Sequence, residues 1–226
     1  AGFAGGVGIG TIFLKRGYSL QRTYALSKLE SAIMPAIQVG LLVLVVTAPA
    51  FIFFSQKGPG AMLAPWLISL AAGLVVGGLS QYSRLCTVGG FRDLFLFKKS
   101  VLIFGYIAVL VGVFAVNISF GNFHLGFENQ PVSHTDGLWN FLGMALAGFC
   151  SVLLGGCPLR QLIMTGEGNS DSAVTVLGLA AGAAFAHNFG LAASGAGPTL
   201  NGQIAVGIGF VVALIIAVLN TKRSNA

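Results

Sequence analysis

Ser83-Arg84-Leu85-Cys86-Thr87-Val88-Gly89-Gly90-Phe91-Arg92-Asp93 and Gly155-Gly156-Cys157-Pro158-Leu159-Arg160-Gln161-Leu162 are the two stretches on which the reading of this chain turns. Each is a short polar break between long apolar runs, and each is centred on a cysteine. Laid over one another without a gap, Cys86 on Cys157, they bring Gly77 onto Gly148 and Ser80 onto Ser151. Phe-Ala-Val-Asn ending at Asn117 then falls on Phe-Ala-His-Asn ending at Asn188. The match points to an internal repeat with units of approximately 61–120 and 138–191. A break that recurs in both halves of a membrane protein, carrying a thiol each time, is the kind of place where such a protein handles its substrate.

Composition sets the solvent. Charged residues make up 8% of the 226, hydrophobic residues 55%, and the mean hydropathy is +0.88. A soluble domain of this size needs a far more charged surface, so the chain is expected to be a single integral membrane domain over 1–226. The 33 glycines agree with this, because small residues let helices approach closely in lipid. Apolar spans run over 1–14, 33–54, 61–79, 101–120, 138–156, 173–191 and 203–219, most of them near the roughly 20 residues needed to cross the hydrocarbon core. The fold class expected is all-α, a polytopic transmembrane helical bundle. The first span is short, with neither a methionine nor a charged lead, and reads as the tail of a helix whose N-terminal part is missing rather than as a signal peptide.

Charge orients the spans. Lys15, Arg16, Arg22 and Lys28 fill the first break, Arg84, Arg92, Lys98 and Lys99 the third, Arg160 the fifth, and Lys222 and Arg223 the tail; only Lys57 lies on the other side. The positive-inside rule then puts the C-terminus in the cytoplasm, in a multi-pass protein of the inner (cytoplasmic) membrane. The net charge of +6 is accounted for by topology and calls for no nucleic-acid partner.

Residues 83–97 are themselves rather apolar and read as a segment dipping back into the membrane. The run after Cys86 is long enough for half a helix and too short for a crossing. After Cys157, Pro158 stands where a first helical turn tolerates proline best. Both thiols would thus sit at helix N-termini, where unpaired N–H groups and the dipole favour an anion. Arg84 and Arg160 flank them, and an arginine in this position either lies outside the hydrocarbon or lines a polar path. Arg84, Arg92, Arg160 and Gln161 are accordingly candidate path residues, with cytoplasmic anchoring the plainer role for Arg84 and Arg92. His187, Asn188 and Asn117 join them as polar groups inside spans, an interhelical hydrogen bond being the plainer role for the asparagines.

Cys150 lies inside an apolar helix and reads as a small hydrophobe. No spacing suits a metal, and no nucleotide motif is present; the glycine-rich run from Thr165 to Ser172 reads as a turn into a helix capped by Asp171 or Ser172. No hydrolase-like constellation of nucleophile and base falls together, so the protein is read as a non-enzyme without cofactor or metal. Gly73 with Gly77 and Gly178 with Gly182 are small-residue pairs suited equally to packing helices within one subunit or between two.

The two cysteine stretches resemble the paired motifs of the YeeE/YedE family of sulfur-transport membrane proteins. Gly166-Glu167-Gly168-Asn169, Ala186-His187-Asn188-Phe189-Gly190 and Gly197-Pro198-Thr199-Leu200-Asn201-Gly202-Gln203 resemble its YedE-type branch associated with selenium metabolism. The resemblance implies an all-helical hourglass with short re-entrant helices bearing the cysteines. It implies further that Cys86 and Cys157 are relay thiols passing a small sulfur- or selenium-containing anion by S–H to sulfur hydrogen bonds. The partners expected are that anion and the lipid bilayer, with a soluble sulfur or selenium acceptor protein belonging to the carrier reading that follows. The other reading is a membrane redox enzyme or sulfur carrier working through a persulfide or a disulfide.

Overall fold

The computed structural model describes residues 1–20, 32–51, 64–126 and 134–221. Among them the chain forms helices α1 (Gly2–Lys15), α2 (Ile33–Thr47), α3 (Trp66–Ser83), α4 (Thr87–Phe97), α5 (Val101–Ser119), α6 (Gly137–Leu153), α7 (Pro158–Gly166), α8 (Ser170–Asn188) and α9 (Leu200–Leu219). The described residues hold no strand, only the isolated bridges Tyr18 to Thr221 and Ser194 to Gly197. Each expected span contains a helix, and the two cysteine breaks contain the short helices α4 and α7. The second span stops early, at Thr47. Ala48 turns left-handed there (φ 41°) because Pro49 bars the residue before it from continuing the helix. Arg22, Lys28, Lys57, Lys222 and Arg223, on which part of the orientation argument rests, lie outside the described residues.

Among the described residues four stretches are long and apolar enough to cross a membrane: Trp66–Phe97, Val101–Ser119, Gly137–Gly166 and Leu200–Leu219. The first and third each join a long helix to its cysteine-bearing partner. On α3, α5 and α9 large apolar side chains point outward, as Leu74, Val101 and Leu219 do. Such surface is stable against lipid tails and would aggregate in water.

The packing centre is α6. Along one side it receives α1 through a seam of small residues. A methyl group at Gly6 would strike the carbonyl oxygen of Ala145, one at Gly148 the carbonyl oxygen of Phe3, and one at Gly10 would come within 2.6 Å of Val152 Cβ. The glycine spacing of α1 thus brings two backbones together, which in lipid replaces hydrophobic burial as the source of association. The pairs expected from the sequence to pack helices within one subunit or between two make no such contact within the described part of this chain. Among the described residues nothing lies within 4 Å of a methyl group built at Gly73, Gly77, Gly178 or Gly182.

On another side α6 meets α9, where Phe149, Leu153, Ala213 and Ala217 form a buried cluster with Tyr18. The Tyr18 hydroxyl donates to the Leu153 carbonyl (3.2 Å), and Ser19 N–H donates to the Asn220 carbonyl (3.2 Å). The C-terminal ends of α1, α6 and α9 are therefore gathered at one level. Cys150 packs beside this cluster, as a small hydrophobe does. The start of α8 differs from expectation. Its cap is Asn169, whose side chain accepts from Ser172 N–H (2.9 Å), which leaves Asp171 in the first turn and Ser172 buried.

Candidate functional site: two thiols between helix N-termini

Two identical turns deliver the thiols. Beyond α3, Leu85 N–H donates to the Ser80 carbonyl (3.0 Å) and Arg84 N–H to the Gln81 carbonyl (3.2 Å). Beyond α6, Gly156 N–H donates to the Ser151 carbonyl (3.1 Å) and Gly155 N–H to the Val152 carbonyl (3.0 Å). This is the hydrogen-bond pattern of a helix ending in a left-handed residue, and that residue is Arg84 (φ 51°) in one turn and Gly155 (φ 83°) in the other. Ser80 and Ser151, at matched positions, are both buried. After each turn the cysteine takes extended backbone and becomes the N-cap of a short helix, of 11 residues for α4 and 9 for α7. Neither is long enough to cross a bilayer.

Cys86 and Cys157 are free, buried and part of one cluster with Val7, Val88 and Val152. Their thiols lie within hydrogen-bonding reach of one another. The Cys86 sulfur accepts from Gly89 N–H (3.3 Å), and the Cys157 sulfur faces the N–H groups of Thr87 and Val88. One helix N-terminus therefore serves both sulfurs, and a second begins at Cys157 itself. Because Val7 also packs on Gly148, the thiols sit within the length of α6 rather than beyond its end. Close approach holds α4 in place, since a methyl group at Gly90 would come within 3.2 Å of Ile103 N.

The other candidate residues are distributed differently. Gln161 is buried, and its amide donates to the Leu154 carbonyl (3.0 Å), fixing the turn that leads to Cys157. Arg160 reaches across to α3: Nη1 donates to Gln81 Oε1 (2.8 Å), Nη2 lies 3.8 Å from Glu167 Oε2, and the Gln81 amide also bonds Glu167. Arg92 is paired with Asp93 through both Nε and Nη2 (2.9 Å each). Arg84 is exposed and occupies the left-handed turn position. The guanidinium groups of Arg92 and Arg160 are thus engaged by carboxylates, so backbone N–H groups rather than arginines surround the sulfurs. Asn117 lies about 20 Å along α5 from Ile103, which packs against Gly90 of α4, and none of Asn117, His187 and Asn188 belongs to the thiols' buried cluster or lines the cavity at Cys157. Asn188 bonds back to the Ala184 carbonyl within its own helix (2.8 Å).

The exposed ion pair and the buried amide should differ in what their loss costs. Glu167→Gln is expected to lower stability by well under about 1 kcal/mol, since the pair is long and partly solvated. Gln161→Leu strands the Leu154 carbonyl and should cost about 1–3 kcal/mol. Thermal unfolding of both variants in the same detergent checks the order, and a larger loss for Glu167→Gln contradicts it.

A cavity of about 330 Å³ reaches Cys157 and is walled by Phe3, Phe91, Tyr106, Met144 and Leu159. Sequence reading missed Met144 and Tyr106, which come from helices remote in the chain, and their types alone carry no signal above that of ordinary span residues. A larger cavity of about 1020 Å³, between α6, α8 and α9, is almost wholly apolar and includes Cys150 but neither Cys86 nor Cys157.

Residues 82–222 match the family model described as sulphur transport. The chain belongs to this YeeE/YedE sulphur transport family. As a member, it is a multi-pass membrane protein, consistent with the four stretches among the described residues that are long and apolar enough to cross a bilayer. A stretch of 115 residues is 27% identical to the thiosulfate transporter TsuA of Escherichia coli (strain K12), covering 47% of this chain and 30% of that protein. The chain thus matches under a third of that relative's length. No solved structure matches it significantly. The family match takes in both cysteine turns and all the helices from α4 to α9. Both comparisons name sulfur, and the likeness to the selenium-associated branch rests on its motifs alone.

Proposed function

We propose that this protein carries a small sulfur-containing anion of the thiosulfate class across the cytoplasmic membrane, with Cys86 and Cys157 contacting the sulfur in turn. The observation that carries this reading is the pair of free, buried thiols packed in one cluster beside a helix N-terminus. Backbone N–H groups of α4 supply partial positive charge where an anion would rest, without the fixed counter-charge that would hold it there. A thiol supplies a weak donor that suits a soft acceptor. The repeat units 61–120 and 138–191 would each contribute one such thiol. Gln161 acts as a positioning residue through the turn at Leu154. The level at which α1, α6 and α9 end, close to Lys15 and Arg16, would face the cytoplasm.

The test is uptake of radiolabelled thiosulfate into proteoliposomes holding the full-length protein, with selenite in a parallel arm. Saturable thiosulfate uptake above protein-free vesicles supports the reading. If neither anion enters and intact-mass spectrometry finds sulfur added to a cysteine, the protein is a covalent sulfur carrier instead.

A further inference from the structure

The cavity at Cys157 has a chemistry of its own. No side chain lining it carries a fixed charge, and Thr87 and Tyr106 contribute its hydroxyl groups. The remaining wall is aromatic, aliphatic and thioether. Phe91 is its fixed part, with ring centroids 6.4 Å from Phe3, 6.3 Å from Phe95 and 5.8 Å from Tyr106. The spacing of Phe91 from α5 is set by the backbone approach at Gly90, so the wall cannot widen freely. Met144 stands on α6 beside Gly2 of α1 and is half exposed, a flexible and polarisable group in the cavity wall.

An anion passing this wall must give up much of its water. An anion whose whole surface is oxygen gives up strong hydration at every position and meets few donors in return. An anion with one terminal sulfur is less strongly hydrated on that side. The sulfur meets thioether, ring edges and thiol, and the oxygens keep the hydroxyls and the water behind. We propose that Met144, Phe91 and Tyr106 form a selectivity vestibule before Cys157, which admits an anion by its sulfur end and excludes fully oxygenated anions such as sulfate. This inference rests on the transport reading above and adds the residues that choose the substrate.

The experiment uses the full-length protein in proteoliposomes and measures uptake of labelled thiosulfate and labelled sulfate separately. The unaltered protein should prefer thiosulfate at least about a hundredfold. Met144→Gln, similar in length but polar, should lower that preference at least tenfold, and Met144→Leu should keep it. Phe91→Tyr, a second polar change in the same wall, should also lower it. Preference unchanged in both Met144→Gln and Phe91→Tyr would overturn the vestibule. Equal uptake of sulfate and thiosulfate by the unaltered protein would overturn it too, while leaving transport standing. Thiosulfate uptake no higher than in empty vesicles would overturn the transport reading itself, and the vestibule with it.

Discussion

Replacing Cys157 with alanine is expected to slow thiosulfate uptake about ten- to hundredfold while leaving the protein folded. Cys157 is the thiol that lines the vestibule, and its sulfur faces Thr87 and Val88 N–H as well as Cys86. Removing it deletes a contact to a charged species, worth about 1.5–3 kcal/mol, which corresponds to that range of rates. Alanine is smaller, and α7 retains Pro158 in its first turn, so the fold should survive. Cys86 needs a different substitution. Its sulfur caps α4 by accepting from Gly89 N–H, so Cys86→Ala would lose a cap as well as a thiol. Cys86→Ser keeps an acceptor at the cap and removes only the soft atom. The serine variant should therefore match the unaltered protein in thermal stability and still show uptake reduced at least tenfold. Full uptake by both Cys157→Ala and Cys86→Ser would remove the thiols from the path.

Much of this site is legible in the chain because the signals are local. A cysteine after a left-handed turn, with Gly155-Gly156 before it and Pro158 after it, spells out a helix end, a reversal and a helix start within a few residues. The first repeat uses Arg84 where the second uses Gly155, so its turn is visible only by superposition on the second. Arg84 drew attention as a charge, whereas the backbone position it holds is one that glycine occupies in the sister turn. The fate of Arg160 was hidden for another reason. Its partner Gln81 lies in the other half of the chain, and no periodicity connects them. The same applies to His187, Asn188 and Asn117. Their matched positions in the repeat are real features of the sequence, but a shared position in two long helices does not bring residues near two short ones.

The first helix carries the second large effect. Gly6→Val is expected to lower the thermal midpoint by on the order of 5–10 °C in detergent and to abolish uptake. A side chain at Gly6 is directed at the carbonyl oxygen of Ala145, which is backbone and cannot rotate aside. The helices must separate, and overpacking of this kind costs about 1–3 kcal/mol or more, which for a chain of this length is a shift of several degrees. In lipid no hydrophobic gain rewards a looser arrangement of the same helices. The effect reaches the thiols because α1 also places Val7 in their cluster and Phe3 in the vestibule wall. Gly148→Val should behave alike, since it meets the Phe3 carbonyl from the other side of the seam. Gly73→Ala and Gly77→Ala are the controls. Both point into open space among the described residues, and each exchanges glycine for a better helix former, so neither should lose stability. If Gly6→Val and Gly77→Ala melt together, the seam between α1 and α6 is not what holds the thiol pair in place. If the first falls and the second does not, backbone contact between a short helix and a long one carries the geometry of the thiol pair.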